Sequence, residues 1–198
     1  MKKIDIIATD LDGTLLTDNK QISDGNRRAL EKAASEGIYI VPATGRALYT
    51  MPECVMELNC IKYAVTSNGA AIVNMKTGEV LYKNQMDYLT AEKIIKYGLE
   101  MDIMVEVFTN GRAYTLKRYM TELVEYGVNP RFTEWLKDTR ETVESFSDIL
   151  NNDSTIENIN LIFSDMDKRD EMRKYLLACP DVELTNSIVN NLEVGVKN

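Results

Sequence analysis

The stretch that decides the fold is IDIIATDLDGT, residues 4–14. Its first part, Ile4 to Thr9, is a short and nearly continuous apolar run, which is typical of a buried strand in a parallel sheet. Two carboxylates, Asp10 and Asp12, follow directly at the carboxyl end of that strand, and Gly13 comes next. Ligands of open parallel sheets bind at this end of the strands, so the stretch predicts a sheet with a site at its edge.

The segments that follow alternate between helix and strand. Ser23 is a favourable N-cap for a helix that we expect to reach about Ser35. Residues 38–41 and 63–66 are predicted strands, and residues 47–58 are a predicted second helix. This rhythm predicts right-handed crossovers and a parallel sheet, so the fold class is α/β with a Rossmann-like core.

The pattern changes in the second part of the chain, where hairpin signals replace the strand–helix rhythm. Asn110-Gly111 lies between two runs of strand-forming residues, at 104–108 and 112–116, and is the strongest hairpin signal present. We therefore expect an α+β domain with antiparallel pairing. The predicted division is a Rossmann-like core at 1–84, an α+β domain at 85–190, and the start of a return to the core at 191–198.

Composition excludes several classes of protein. The net charge of −8 over 198 residues argues against a nucleic-acid partner. The sequence contains no histidine, which removes His-based triads and His metal sites, and its cysteines are too few and irregular for a disulfide framework. No run approaches the roughly 18 apolar residues of a membrane span, and the N-terminus does not resemble a signal peptide. We predict a cytoplasmic protein without a membrane partner.

Asp10 and Asp12 predict a specific chemistry. Two carboxylates separated by one residue can hold Mg²⁺ through oxygen ligands. With the charge of a phosphate shielded, one carboxylate can attack phosphorus and the other can transfer a proton. An acidic turn is the alternative interpretation, but D-x-D-G-T arises by chance in roughly one chain in a thousand. Asp165 and Asp167 repeat the spacing without the Gly-Thr, so we interpret them as complementing a helix N-terminus, with a metal-binding role as the alternative.

Polar residues also follow the next two predicted strands. Thr44, Gly45 and Arg46 open the predicted second helix, where a hydroxyl and free N–H groups would cradle a phosphate. Arg46 is expected either to contact substrate or to pair with an acidic side chain. Asn68 follows the third strand and is expected to line the substrate pocket. Taken alone, Thr44 is simply an N-cap and Asn68 part of a polar turn.

Three segments together resemble the signatures of the haloacid dehalogenase superfamily in its Cof-type phosphatase subfamily: DLDGTLL at 10–16, ATGR at 43–46 and SNGA at 67–70. The resemblance implies that Asp10 is the nucleophile that becomes an aspartyl phosphate and that Asp12 is the general acid/base. It implies that Thr44 binds the transferring phosphoryl group. Mg²⁺ would touch the Asp10 carboxylate and the Asp12 backbone carbonyl. The implied function is a phosphatase of small phosphorylated metabolites, such as sugar phosphates.

Other functions fit parts of the same pattern. A phosphomutase uses the same aspartyl chemistry, but moves the phosphoryl group within a sugar rather than to water. A non-catalytic remnant would bind phosphorylated ligands without turnover. A phospho-accepting signalling domain is disfavoured, because such domains lack an inserted cap of this size.

The resemblance also implies a lysine in a third signature and an acidic pair after a fourth strand. Neither precedes Asn198, and Lys197 lies several residues too early to be that lysine. We therefore expect an incomplete core with impaired turnover. The sequence leaves open whether the chain is naturally short or cut. Without a fourth strand, Ile4 to Thr9 would form an apolar sheet edge, through which we expect self-association.

Overall fold

A computed structural model describes residues 3–197. The chain divides into two compact units, Met1–Lys83 and Asn84–Asn198. Each unit has a cluster of buried apolar side chains of its own. The first unit ends one residue before the predicted boundary at residue 84.

The first unit is built around short parallel strands with a helix on one face. β1 pairs in parallel with β2, and Ile6 lies opposite Tyr39. Single parallel bridges, Ile40 with Ile61 and Ala43 with Val65, extend the arrangement to β3. The elements of this unit are β1 Ile6–Thr9, α1 Asp24–Ser35, β2 Tyr39–Pro42, α2 Glu53–Met56, β3 Tyr63–Thr66, β4 Ala71–Asn74 and β5 Val80–Lys83.

α1 begins and ends where its sequence predicts. The hydroxyl oxygen of Ser23 accepts a hydrogen bond from the backbone N–H of Asn26 at 3.2 Å, which caps the helix. Leu30 and Ala33 pack against the buried cluster that also contains Ile40. The predicted helix from Ser23 to about Ser35 is confirmed.

The predicted helix at residues 47–58 is wrong. A single 3₁₀ turn, Leu48–Thr50, is followed by the one-turn helix α2, and Pro52 lies between them as the N-cap of α2. Proline lacks an N–H and disfavours helical geometry in the residue before it. Met51 accordingly has an extended ψ of 143°. The consequence is that Thr44 does not lie near the N-terminus of a long helix.

β3 changes the character of the sheet. It pairs antiparallel with β4, which in turn pairs antiparallel with β5. β4 and β5 form a hairpin whose turn contains Gly78 with a left-handed φ of +73°. The parallel part of the core is limited to β1, β2 and β3.

The second unit is an α+β structure. Its elements are β6 Met86–Asp87, α3 Tyr88–Glu100, β7 Met104–Thr109, β8 Arg112–Leu116, α4 Thr133–Thr139, β9 Glu141–Val143, β10 Thr155–Ile156, β11 Asn158–Ile162, α5 Met166–Leu177, β12 Val182–Thr185 and β13 Asn191–Val196. Six of these strands form one sheet of order β12-β13-β11-β7-β8-β9. Neighbouring strands in it run antiparallel except β8 and β9, which are parallel. The predicted α/β class with a second α+β part is confirmed.

The segment that was predicted to start a return to the core begins with a strand of the second unit. Residues 191–196 form β13, which lies inside the second unit's sheet between β12 and β11. Leu192 lies opposite Leu161, and Val194 opposite Ile159, and all of them are buried. Alternate apolar side chains on this strand therefore complete the core of the second unit, so the strand does not leave it.

Candidate active site

The loop after β1 leaves strand geometry at once and presents Asp10 and Asp12. Gly13 has φ of +79°, a left-handed conformation that lets the chain turn sharply. Leu11 and Leu15 are buried and anchor the loop in the core of the first unit. Because these leucines face inward, the two aspartates are left exposed at the end of the strand.

The Asp10 carboxylate is held by its own loop. Its Oδ2 accepts a hydrogen bond from the hydroxyl of Thr14 at 2.9 Å. The backbone carbonyl of Asp10 accepts from the N–H of Leu15 at 3.3 Å. The first contact orients the carboxylate and the second fixes the backbone of the loop, while the side chain remains exposed, which suits a nucleophile or a metal ligand.

The Asp12 carboxylate is paired with two cations. Arg46 donates from Nε to Oδ2 at 2.7 Å and from Nη2 to Oδ1 at 2.9 Å, and Lys20 donates from Nζ to Oδ1 at 2.6 Å. The hydrogen bond from Arg46, with a further contribution from Lys20, lowers the pKa of Asp12 to about 2, although partial burial opposes the shift. Asp12 is therefore ionised at neutral pH.

Arg46 pairs with an acidic side chain, which is one of the alternatives that its sequence left open. Its side chain is 8% exposed, and its Nη1 donates to the backbone carbonyl of Thr50 at 2.8 Å. The short turn Leu48–Thr50 thus fixes the guanidinium that holds Asp12. Because the two residues lie 34 positions apart, the first and second strand ends meet at this contact.

Thr44 lies beside the end of β1. The N–H of Ala43 donates to the carbonyl of Thr9 at 2.8 Å, which places the residues after β2 next to those after β1. The hydroxyl oxygen of Thr44 accepts from the N–H of Arg46 at 3.1 Å. Thr44 is buried, with 7% of its surface exposed. Its hydroxyl proton can still be donated to a phosphoryl oxygen.

Asn68 belongs to an unusual turn at the end of β3. Ser67, Asn68 and Gly69 have φ of +50°, +57° and +94° in succession. Each non-glycine residue in this left-handed region costs roughly 1–2 kcal/mol, and such strain is concentrated at functional sites. The N–H of Asn68 donates to the carbonyl of Thr44 at 3.2 Å, so this turn is joined to the Thr44 loop.

Gly45 lets this turn approach the Thr44 loop closely. A Cβ at Gly45 would lie 2.7 Å from the side-chain oxygen of Asn68, a distance that requires one of them to move. The glycine therefore leaves room for the Asn68 side chain in its present position, and this closeness brings the second and third strand ends together.

The oxygen donors at the site fit Mg²⁺, but they are few. Among residues 3–197 no cluster of three or more Asp, Glu, Cys or His side chains is arranged for a metal ion. Both oxygens of the Asp12 carboxylate already accept hydrogen bonds, Oδ1 from Lys20 and Arg46 and Oδ2 from Arg46. The oxygen donors that the resemblance assigns to the metal are the Asp10 carboxylate and the Asp12 backbone carbonyl. Mg²⁺ is often bound through one or two protein oxygens with waters completing the octahedron, so this set is compatible with it.

The sequence motifs did not identify Lys20 as a residue of this site. It lies in a polar turn with no motif around it, and no periodicity marks it. Its proximity to Asp12 becomes visible only when Leu16 and Ile22 pair across the turn.

In the described part of the chain, no helix has the length and apolar character needed to cross a bilayer.

Comparison with known proteins defines the class. The profile of the haloacid dehalogenase-like hydrolases matches residues 7–198. Since the match covers almost the whole chain, this protein belongs to that family.

Particular relatives agree with this assignment. Over 196 residues the chain is 29% identical to the 5-amino-6-(5-phospho-D-ribitylamino)uracil phosphatase YcsE of Bacillus subtilis, covering 97% of this chain and 65% of that protein. It is 33% identical over 110 residues to the phosphatase YwpJ of the same organism, covering 56% and 38%. The structure of a haloacid dehalogenase-like hydrolase from B. subtilis superposes with a TM-score of 0.80 at 25% identity, covering 98% of this chain and 73% of that one. The chain thus spans less than two thirds of the length of the curated relatives it matches.

Proposed function

We propose that this chain is a Mg²⁺-dependent phosphatase of small phosphorylated metabolites, acting through an aspartyl phosphate on Asp10. The observation that carries the proposal is the convergence of separate strand ends on one loop. Asp10 and Asp12 follow β1, Arg46 reaches Asp12 from the end of β2, and Asn68 joins the Thr44 loop from the end of β3. Family membership supports the same reaction.

Asp10 is proposed as the nucleophile. In the first step a carboxylate oxygen of Asp10 forms a bond to phosphorus while the bond from phosphorus to the leaving oxygen breaks, and the leaving oxygen takes a proton. In the second step water attacks phosphorus, the bond to Asp10 breaks, and inorganic phosphate is released. The hydrogen bond from Thr14 to Oδ2 supports this role, because it fixes the carboxylate without burying it.

Asp12 is proposed to transfer the protons of both steps. Its ionised state directly supports the second step, in which it accepts a proton from the attacking water. To supply the proton of the first step it must be protonated transiently, against the two cations that favour its charged form.

The remaining site residues are proposed to bind the phosphoryl group and the substrate. The Thr44 hydroxyl would donate to a phosphoryl oxygen, and Asn68 would contact the substrate from its exposed position. Arg46 would act by holding Asp12. Mg²⁺ would be held by the Asp10 carboxylate and the Asp12 backbone carbonyl, and when bound it would neutralise charge on the phosphate.

The second unit is proposed to be the cap that selects the substrate. The 5-amino-6-(5-phospho-D-ribitylamino)uracil phosphatase YcsE acts on a phosphate monoester of a small hydroxylated molecule. This supports a phosphorylated metabolite of similar size as the substrate class here. Water is proposed as the final phosphoryl acceptor, which separates this function from that of a phosphomutase.

The test is hydrolysis of 4-nitrophenyl phosphate by the purified chain with MgCl₂ and with EDTA. We expect Mg²⁺-dependent release of inorganic phosphate that Asp10→Asn abolishes. Mass spectrometry of the acid-quenched wild type should find phosphate on Asp10. Asp167→Asn is the matched control, because it changes the exposed aspartate of the other D-x-D segment, where Asp165 caps α5.

Three results would contradict the proposal. They are the absence of turnover with Mg²⁺, turnover that survives Asp10→Asn, and a phosphoryl group transferred to a sugar acceptor in preference to water. The absence of turnover would contradict the proposed activity, and it would agree with the impaired turnover expected from the missing lysine and acidic pair. Tight binding of inorganic phosphate without hydrolysis would then favour a binding module.

A further inference from the structure

Lys20 lies outside the motifs that predicted the site, yet its Nζ is 2.6 Å from Oδ1 of Asp12. It lies at the tip of a short hairpin, residues 16–22. Leu16 and Ile22 pair antiparallel at the base of this hairpin, and both are buried in the core of the first unit. Because the core holds both ends of the hairpin, its tip has a fixed place beside the Asp12 loop.

The backbone of the tip is specialised for this placement. Lys20 has φ of +56°, a left-handed conformation that glycine or asparagine adopts at lower cost. Its N–H donates to the carbonyl of Thr17 at 2.9 Å, and its carbonyl accepts from Sγ of Cys54 at 3.4 Å. The backbone of Lys20 is strained, and its N–H and carbonyl are both hydrogen-bonded. Because such strain is concentrated at functional sites, it points to a role for the lysine side chain.

The oxygens of Asp12 are occupied unequally. Oδ1 accepts from Lys20 and from Nη2 of Arg46, whereas Oδ2 accepts from Nε of Arg46. Each carboxylate oxygen offers about two acceptor positions. Donors from residues 3–197 therefore fill Oδ1, and Oδ2 keeps one position open for a reactant.

Building on the proposed phosphatase function, we propose that Lys20 is a positioning residue for Asp12. By filling Oδ1 together with Arg46, it makes Oδ2 the oxygen that faces the leaving group and the attacking water. The side chain of Lys20 is 41% exposed, and an exposed ion pair adds little to stability. Its effect is therefore expected in the orientation of Asp12 and much less in the folding of the chain.

The kinetic test compares Lys20→Met and Lys20→Arg with the wild type on two phosphate monoesters. An alkyl ester, glycerol phosphate, has a poor leaving group that needs a proton, whereas 4-nitrophenyl phosphate has a good one that does not. We expect Lys20→Met to lower kcat roughly tenfold for the alkyl ester and only a few-fold for the aryl ester, with KM unchanged. Lys20→Arg keeps a cationic donor and should restore the wild-type ratio of kcat for the alkyl ester to kcat for the aryl ester. Lys32→Met, which removes an exposed lysine of α1, is the control.

The second readout does not depend on turnover. Three-bond couplings from Cγ of Asp12 to its backbone nitrogen and carbonyl carbon report the χ1 angle of this side chain. We expect a single χ1 rotamer in the wild type and in Lys20→Arg, and averaging between rotamers in Lys20→Met. Lys32→Met should leave the couplings unchanged.

The outcomes separate this inference from the function on which it rests. If the wild type hydrolyses neither ester, the proposed function fails and the couplings alone decide whether Lys20 positions Asp12. If turnover is present, an equal loss of kcat on both esters, or a rise in KM alone, would overturn the positioning role. Unchanged couplings in Lys20→Met would overturn it in either case.

Discussion

At the residue scale, Arg46 is the side chain on which the placement of Asp12 depends most. Its guanidinium is almost fully buried, and it donates to both oxygens of Asp12 and to the carbonyl of Thr50. A planar guanidinium can make this two-pronged contact, whereas an ammonium group cannot. Removing it would leave a backbone carbonyl and a partly buried carboxylate without these donors.

Substitution of Arg46 should therefore cost both stability and activity. We expect Arg46→Met to lower the free energy of unfolding by about 1–3 kcal/mol, since a buried carbonyl loses its donor and a half-exposed ion pair is broken. The free energy of unfolding of Arg46→Lys should lie between those of Arg46→Met and the wild type. Urea unfolding followed by circular dichroism measures this order. Equal stability of Arg46→Lys and the wild type would show that the two-pronged geometry is unimportant.

At the element scale, α3 of the second unit depends on a charged N-cap. Asp87 accepts from the N–H of Thr90 with Oδ1 at 3.0 Å and from the Thr90 hydroxyl with Oδ2 at 2.8 Å. These hydrogen bonds lower the pKa of Asp87 below its ordinary value of 3.8. The carboxylate also lies at the positive end of the helix dipole.

The N-cap should make stability depend on pH in a defined direction. A carboxyl whose pKa is lowered in the folded state stabilises the fold above its unfolded pKa, and this contribution is lost as pH falls through the folded pKa. Asp87→Ala should therefore cost about 0.5–2 kcal/mol at neutral pH and progressively less below about pH 4.

Asp87→Asn serves as the matched control, because its amide oxygen can cap Thr90 without titrating. Thermal unfolding at pH 7 and at pH 3 compares the variants. If the difference in melting temperature between Asp87→Ala and the wild type grew as pH fell, the assignment of this cap would be contradicted.

Element prediction succeeded where the signals were local. The capped helix α1 and the hairpin of β7 and β8 follow from residues close in sequence, Ser23 and Asn110-Gly111. It failed at residues 47–58, where helix-compatible residues surround Pro52. There Pro52 disfavours helical geometry at Met51, so the helix is interrupted despite the helix-compatible residues around it.

At the scale of the whole molecule, β1 is exposed at the edge of its sheet. Among residues 3–197 it pairs with β2 alone. Ile6 of β1 is 60% exposed, which is unusual for the apolar strand of a parallel sheet, and Ile4, just before the strand, is 61% exposed. An apolar edge with unpaired backbone groups favours pairing with another chain.

We therefore propose that the chain self-associates through β1, and that Ile6→Lys reduces this association. Leu89→Lys is the matched control, because Leu89 is 61% exposed but lies on α3 of the second unit and not on β1. Light scattering after size exclusion, over a range of protein concentrations, measures the mass. A monomer at all concentrations, or an equal effect of both substitutions, would contradict the role of β1.

The sequence by itself determined the placement of Asp10 and Asp12 after a strand, the position of α1, the hairpins and the class of each unit. All of these depend on short-range patterns of apolar residues, caps and turns, which can be recognised without knowing what packs against them. The family resemblance rested on the same local segments, and the match over residues 7–198 confirmed it.

Only the tertiary structure decided which side chains meet at the site. Arg46 lies 34 residues from Asp12, and Lys20 lies eight residues away across a hairpin. The approach of Arg46 depends on the pairing of β1 with β2, and the approach of Lys20 depends on the burial of Leu16 and Ile22 in the core. The position of β13 was decided in the same way, because a strand joins the sheet against which its alternate apolar side chains can be buried.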